Sequence, residues 1–203
     1  MKVEWSSQLE DILAQEGERC RGLAWLHTRA EMYTNKFNTY VQVPVIVLST
    51  LAGTASVGSG ALFGDSGISS IAIGLVSISV GILNTLGSFF AFAKRSEAHR
   101  IAHLNYSKIS TMIAIELSLP RDERNTAEYM LSYIRDTMER LAETTPSCPV
   151  HIIAEFNEKF SKLADTIAVP METNGLHKIK VYRGETKINT PLPEEKVKIS
   201  IKV

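Results

Sequence analysis

The chain has 203 residues, 44% hydrophobic and 22% charged, and its 22 basic residues balance its 22 acidic ones. Zero net charge leaves no cationic field of the kind that nucleic-acid binding needs, so no nucleic-acid partner is expected. The averages describe an ordinary cytosolic domain, but they conceal an uneven distribution: between Phe37 and Phe92 only Asp65 is charged.

Residues 1–36 read as an N-terminal amphipathic helix. Ser7 followed by Glu10 has the spacing of a capping box, and Leu9, Ile12, Leu13, Leu23, Leu26, Ala30 and Tyr33 fall on one broad apolar face. The opening segment is acidic and amphipathic and has no continuous apolar region, which argues against a cleaved signal peptide.

Residues 37–93 read as a transmembrane helical hairpin. Asp65 divides them into two uncharged runs, each longer than the roughly 20 residues a helix needs to cross a bilayer. The spans are placed at about residues 41–57 and 68–92, joined by a short turn rich in Gly and Ser. Arg29 and Lys36 precede the first span, and Lys94, Arg95 and Arg100 follow the second. The positive-inside tendency therefore puts both termini of an integral membrane protein on the cytoplasmic side or its equivalent. Tyr40, Phe89, Phe90 and Phe92 have the positions of interfacial anchors, and Pro44 is placed in the first turn of its span, where a missing N–H is tolerated. The competing reading is a soluble protein with a buried apolar hairpin.

Small and polar residues recur at helical spacing in both spans. Gly74, Ser77, Gly81, Asn84 and Ser88 share a face of the second, and Gln42, Ser49, Gly53, Ser56 and Gly60 share one of the first. Small residues let backbones approach closely, and Asn or Ser can hydrogen-bond across the contact. Two uses stay open: packing of the hairpin on itself, or a polar lining shared by several self-associated copies.

Residues 94–168 read as a cytoplasmic helical bundle continuous with the hairpin. A helix after the second span turns Ala98, Ile101, Ala102, Ile109, Met112 and Ile113 inward and ends before Pro120. A further helix at about residues 123–143 carries Ala127, Met130, Ile134, Met138 and Leu141, and another, opening at Pro149, carries Ile153, Phe156, Phe160, Leu163 and Ile167. Residues 169–203 form a basic, extended or β-like tail. Val197, Ile199, Ile201 and Val203 alternate with Lys196, Lys198, Ser200 and Lys202, and Lys178 and Lys180 flank an earlier alternating piece. A strand with one apolar and one cationic face suits a hairpin within the chain, addition to a neighbouring sheet, contact with another subunit or membrane-proximal protein, or anionic headgroups. The fold class is thus mainly α: a two-helix transmembrane hairpin, a helical bundle and a short β-like tail.

Motifs for chemistry are sparse. His99 and His103 stand one helical turn apart, a metal-ligand spacing, but no carboxylate or Cys accompanies them at a recognised interval. Cys20 and Cys148 fit no zinc or redox pattern and are expected reduced or buried. The glycines of "GSGALFG" lack the Lys-Ser or Lys-Thr of a phosphate loop, no nucleophile elbow is present, and Glu116 stands alone. No catalytic residue, cofactor or metal site is expected, and the function expected is non-enzymatic.

The two-span hairpin, followed by "AKRSEAHRIAHLNYSKISTMIAIELSLPRDER" and "YIRDTMERLAETTPSCPVHIIAEFNEKF", resembles the SLATT superfamily of two-helix membrane proteins, and more closely its versions in large nucleocytoplasmic DNA viruses. The resemblance covers about residues 20–165. Its cues are Arg95, His99 and Tyr106, then Glu116 and Leu117 before a Pro and Arg124, and the stretch from Leu141 to Pro149. It implies two different roles. The one expected here is a structural tether, a minor capsid or membrane protein that links a virion's internal membrane to its capsid shell through the tail. The other is an oligomeric pore-forming effector or channel in a cellular membrane.

Overall fold

The computed structural model describes residues 3–63, 67–162 and 167–174. Among them there are six helices: α1 (Ser7–Phe63), α2 (Gly67–Phe90), α3 (Phe92–Ser118), α4 (Ala127–Thr144), α5 (Val150–Phe160) and the short α6 (Met171–Asn174). The described residues contain no strand. The alternating tail, with Lys178, Lys180, Lys196, Val197, Lys198, Ile199, Ile201 and Lys202, lies outside them.

The amphipathic helix and the first apolar run are a single element. α1 is 57 residues long, about 85 Å at 1.5 Å per residue. Its cap is Ser6, one residue before the expected Ser7: the Ser6 hydroxyl accepts the Leu9 N–H at 3.2 Å. Glu10 does not close a capping box but accepts from Arg121 and Arg124. Pro44 also differs from expectation. It sits inside this continuous helix, where the missing N–H leaves the carbonyl one turn earlier without its ladder bond and favours a bend.

Ser7–Gly58 and Ser70–Ser118 each contain an apolar window of sufficient length and composition to cross a membrane, and none of either window is buried inside the structure. A core helix of a soluble domain would be largely covered, so the buried-hairpin alternative does not fit. The spans touch along a narrow seam. Half-buried Val41, Val45, Leu48, Ala52 and Ala55 of α1 step by four and three, as do Ile73, Val76, Val80, Leu83 and Gly87 of α2. That is the spacing of left-handed helix packing. At the closest approach a Cβ on Gly87 would lie 3.1 Å from Val41 Cγ1.

α2 and α3 are separated only by Ala91, a left-handed residue with φ 50 and ψ 40. The hydrogen-bond ladder continues through it, from Ala91 N–H to Gly87 O and from Arg95 N–H to Ala91 O, so the chain passes from α2 to α3 with one irregular residue and no loop. Phe37, Phe89, Phe90, Phe92 and Tyr33 cluster around it with ring centroids 4.8–5.8 Å apart.

Beyond Ala91 lies a polar-surfaced head. Leu13, Leu23, Leu26 and Ala30 of α1 pack with Ala102, Tyr106, Ile109 and Ile113 of α3, covered by Met130, Ile134 and Leu141 of α4 and by Ile152 and Phe156 of α5. The sequence stripes hold in the main but err at their edges. Ile12, Tyr33, Ile101 and Ile167 are exposed, and Ile152 takes the deep position in α5 while Ile153 is only half-buried. The face that α1 and α3 share is narrowed by a small residue, since a Cβ on Gly17 would approach Ile113 Cγ2 to 3.1 Å.

The far end of the head is closed by a polar network. Glu116, buried in α3, accepts from the Asn125 backbone N–H at 3.1 Å and from its side-chain amide. Trp5 Nε1 donates to Asn125 O at 2.9 Å, and the Arg124 guanidinium lies over the Trp5 ring. Arg124 also donates to Glu10 at 2.7 Å and to the Leu119 carbonyl. Arg121 and Arg124 together hold the Glu10 carboxyl down at about 2. Glu116 and Arg124, read from the sequence as an isolated acid and a pattern cue, thus help to hold the 119–126 connection, Glu116 to α3 and Arg124, with Arg121, to Glu10 of α1.

Candidate functional site

Two features stand out, one on the hairpin and one in the head. On the hairpin, the small and polar residues do not form the seam. Ser49, Gly53 and Ser56 of α1 and Gly74, Ser77, Gly81, Asn84 and Ser88 of α2 are all exposed. A Cβ added at Gly53, Gly74 or Gly81 would meet nothing within 4 Å. Gln42 is the exception, half-buried beside Gly87. At about 100° per residue, each stripe lies roughly a quarter turn from the seam of its own helix. Because the two helices run antiparallel, those quarter turns point to the same side of the pair. The hairpin thus has one side of Gly, Ser and Asn and an opposite side of Val47, Leu51, Leu75 and Leu86, all exposed.

The hydroxyls in the spans are mostly satisfied within their own helices. Thr50, Thr54, Ser77, Ser79 and Thr85 donate to carbonyls four residues back at 2.8–3.0 Å, the arrangement that makes Ser and Thr tolerable in hydrocarbon. An Asn amide has two donors and an acceptor, so a single bond of this kind, as Asn105 makes to the Ile101 carbonyl at 2.9 Å, leaves it only partly satisfied. No hydrogen bond among the described residues engages Asn84.

In the head, three elements bring donor atoms together. His27 of α1 and His99 of α3 are both 2% exposed, and their Nδ1 atoms lie 2.9 Å apart. Cys148, from the connection between α4 and α5, places Sγ 3.7 Å from His27 Nδ1. One donor atom from each of the three residues lies within 4.8 Å of the others. Tyr106 stacks on the His27 ring, 5.6 Å away between ring centroids and 11° from parallel. Burial, reinforced by His99 and His103, lowers the His27 pKa to about 4. Burial, followed by the Arg95 charge, also lowers that of His99. Burial and then Glu172 raise the Cys148 thiol to about 11. Both imidazoles are therefore neutral near pH 7, with lone pairs available.

The two histidines one helical turn apart, His99 and His103, turn to different partners. Thr28 donates its hydroxyl proton to the Ala24 carbonyl at 2.8 Å, so its oxygen accepts from His103 Nδ1 at 2.8 Å. Sequence reading missed His27 and Cys148 because their spacings to His99, 72 and 49 positions, match no local motif; only the tertiary pairing of α1 with α3 joins them. Cys20 is fully buried among apolar side chains, its thiol held up at about 12 by desolvation, then by Glu16.

A half-open cavity of about 500 Å³ adjoins the cluster. His27, Cys148 and Tyr106 form part of its wall, with Leu23, Met138 and Ile153 giving it an apolar lining and Glu16 and Arg19 a charged edge. The Arg19 Nε is buried without a hydrogen-bond partner. No protein-family model, no curated protein and no solved structure matches this chain.

Proposed function

We propose that the chain is an integral membrane protein that works as an assembly of several copies, joined through the small-polar side of its hairpin, in the manner of a SLATT-type membrane effector or channel. The head then stands on the cytoplasmic side, where Arg29, Lys36, Lys94 and Arg95 flank the spans. One observation carries this reading: the hairpin closes on itself through Val, Leu, Ile and Ala, so its Gly, Ser and Asn side is left for something else. In lipid that side gains little from acyl chains, whereas a second copy offers close backbone contact and partners for Asn84, with such bonds worth about 0.6–2 kcal/mol each. Water in a lumen would satisfy the same groups.

The test is ion flux through vesicles containing the purified chain, compared with a Gly81→Leu, Asn84→Leu variant that inserts equally well. Flux in the wild type and its loss in the variant support the reading. Wild-type flux that survives the double substitution contradicts it. The virion-tether role remains the competing proposal. It rests on the alternating tail at residues 176–203, with seven Lys or Arg against three Glu, which suits a shell protein. Copurification with particles, cross-links from the tail lysines to capsid proteins, and loss of both on tail deletion would favour the tether.

A further inference from the structure

We infer that His27, His99 and Cys148 form a binding site for one zinc-class divalent ion, with a fourth coordination position that opens towards the adjoining cavity. Two neutral imidazoles and a thiol are a donor set that borderline-soft ions prefer. In tetrahedral geometry, Zn–N bonds of about 2.0–2.1 Å and a Zn–S bond of about 2.3 Å require N···N and N···S edges of about 3.3 and 3.6 Å. The structure has 2.9 Å between the two Nδ1 atoms and 3.7 Å between Sγ and His27 Nδ1. The donor atoms all lie within 4.8 Å of one another, so three corners of the tetrahedron form when the imidazoles separate by a few tenths of an ångström and the Cys148 side chain closes on His99.

The supporting frame is rigid. His27 and His99 stand on the two helices that share the core, and Pro146 and Pro149 bracket the Ser147–Cys148 turn, fixing its backbone. Tyr106 holds the His27 ring by stacking. His103 is committed to Thr28, so it does not compete for the ion. No fourth His, Cys, Asp or Glu joins the group among the described residues. Two of the three ligands, His27 and Cys148, line the cavity, which leaves the last position to water or to a small ligand entering from that side. Three protein ligands and one exchangeable position is the pattern of sites at which zinc does more than hold a fold. Binding transfers the Cys148 thiol proton to solvent and places the thiolate on the cation, whose charge stabilises it.

The experiment is a titration of the full chain in detergent with Co²⁺, followed by displacement with Zn²⁺. The expected result is one Co²⁺ per chain, a thiolate-to-cobalt charge-transfer band, and loss of the band on adding Zn²⁺. Cys148→Ser should abolish the band and weaken Zn²⁺ binding by on the order of 100-fold or more, beyond the 10–100-fold typical of residues that only support ligands. Cys20→Ser should retain both. X-ray absorption of the zinc-loaded wild type should show one sulfur neighbour and three nitrogen or oxygen neighbours, two of them imidazole, a readout independent of how any variant folds. Absence of stoichiometric binding, a wild-type spectrum without sulfur, or a band that persists in Cys148→Ser would overturn the assignment.

Discussion

Leu substitutions at two glycines of the same span, Gly81 and Gly87, should have opposite consequences. At Gly87 the first added carbon already lies 3.1 Å from Val41 Cγ1 and 3.6 Å from the Gln42 amide, and a leucine brings three more carbons into the seam. Overpacking of this kind costs about 1–3 kcal/mol, enough to splay the hairpin. At Gly81 the added carbon meets nothing within 4 Å, so the monomeric hairpin should change by no more than about 0.5 kcal/mol. What Gly81→Leu removes is close approach by another copy. Losing about 1–2 kcal/mol of contact there weakens association about 5- to 30-fold. The assay is energy transfer between donor- and acceptor-labelled chains in vesicles, measured over a range of lipid-to-protein ratios. The expected outcome is a shift of the association curve for Gly81→Leu with unchanged helix content, and loss of protease protection in the spans for Gly87→Leu. A wild-type association curve for Gly81→Leu would refute the reasoning, because the outward stripe would then join nothing.

The head offers independent checks. Gly22→Ala should destabilise it by about 1–3 kcal/mol, because the new Cβ would lie 2.6 and 2.7 Å from the Pro170 ring; faster hydrogen exchange at Ala168, whose N–H is held by Glu18 at 2.7 Å, would report release of that segment. Glu10 gives a pH dependence of definite sign. Its carboxyl is held at about 2 against an ordinary 4.5, so its pairing with Arg121 and Arg124 stabilises the head fully above about 4.5, and the contribution fades as pH falls through 2. Glu10→Gln should be less stable than wild type at neutral pH, with the difference closing on acidification in circular dichroism melts; a difference that stays constant with pH would contradict that pairing.

The parts legible in the sequence were those written in local periodicity. Two uncharged runs on either side of Asp65 marked the spans, Pro120 marked the end of α3, and steps of three and four marked Met130, Ile134 and Leu141 as core. The errors came where position depends on a neighbour far along the chain. Ile101 and Tyr33 fit an apolar stripe but sit at its margin, where the narrow contact of α1 with α3 does not reach. The small-residue stripes were equally compatible with a seam and with an outward side, since periodicity reports that residues share a face and not what the face meets. The decision came from the larger residues, as Val45, Leu48, Val76 and Val80 are half-buried while Gly53, Gly74 and Gly81 are exposed. The donor cluster was invisible for the same reason: the two histidines that share a helix turn are not the two that meet.

The most direct measurement is disulfide trapping in native-like membranes, with Cys20 and Cys148 replaced by Ser and single cysteines placed at Ser77 on the small-polar side or Leu86 on the opposite side. Mild oxidation should yield cross-linked dimers from Ser77→Cys and few from Leu86→Cys. Equal yields, or a preference for Leu86→Cys, would contradict assembly through the Gly, Ser and Asn side of the hairpin.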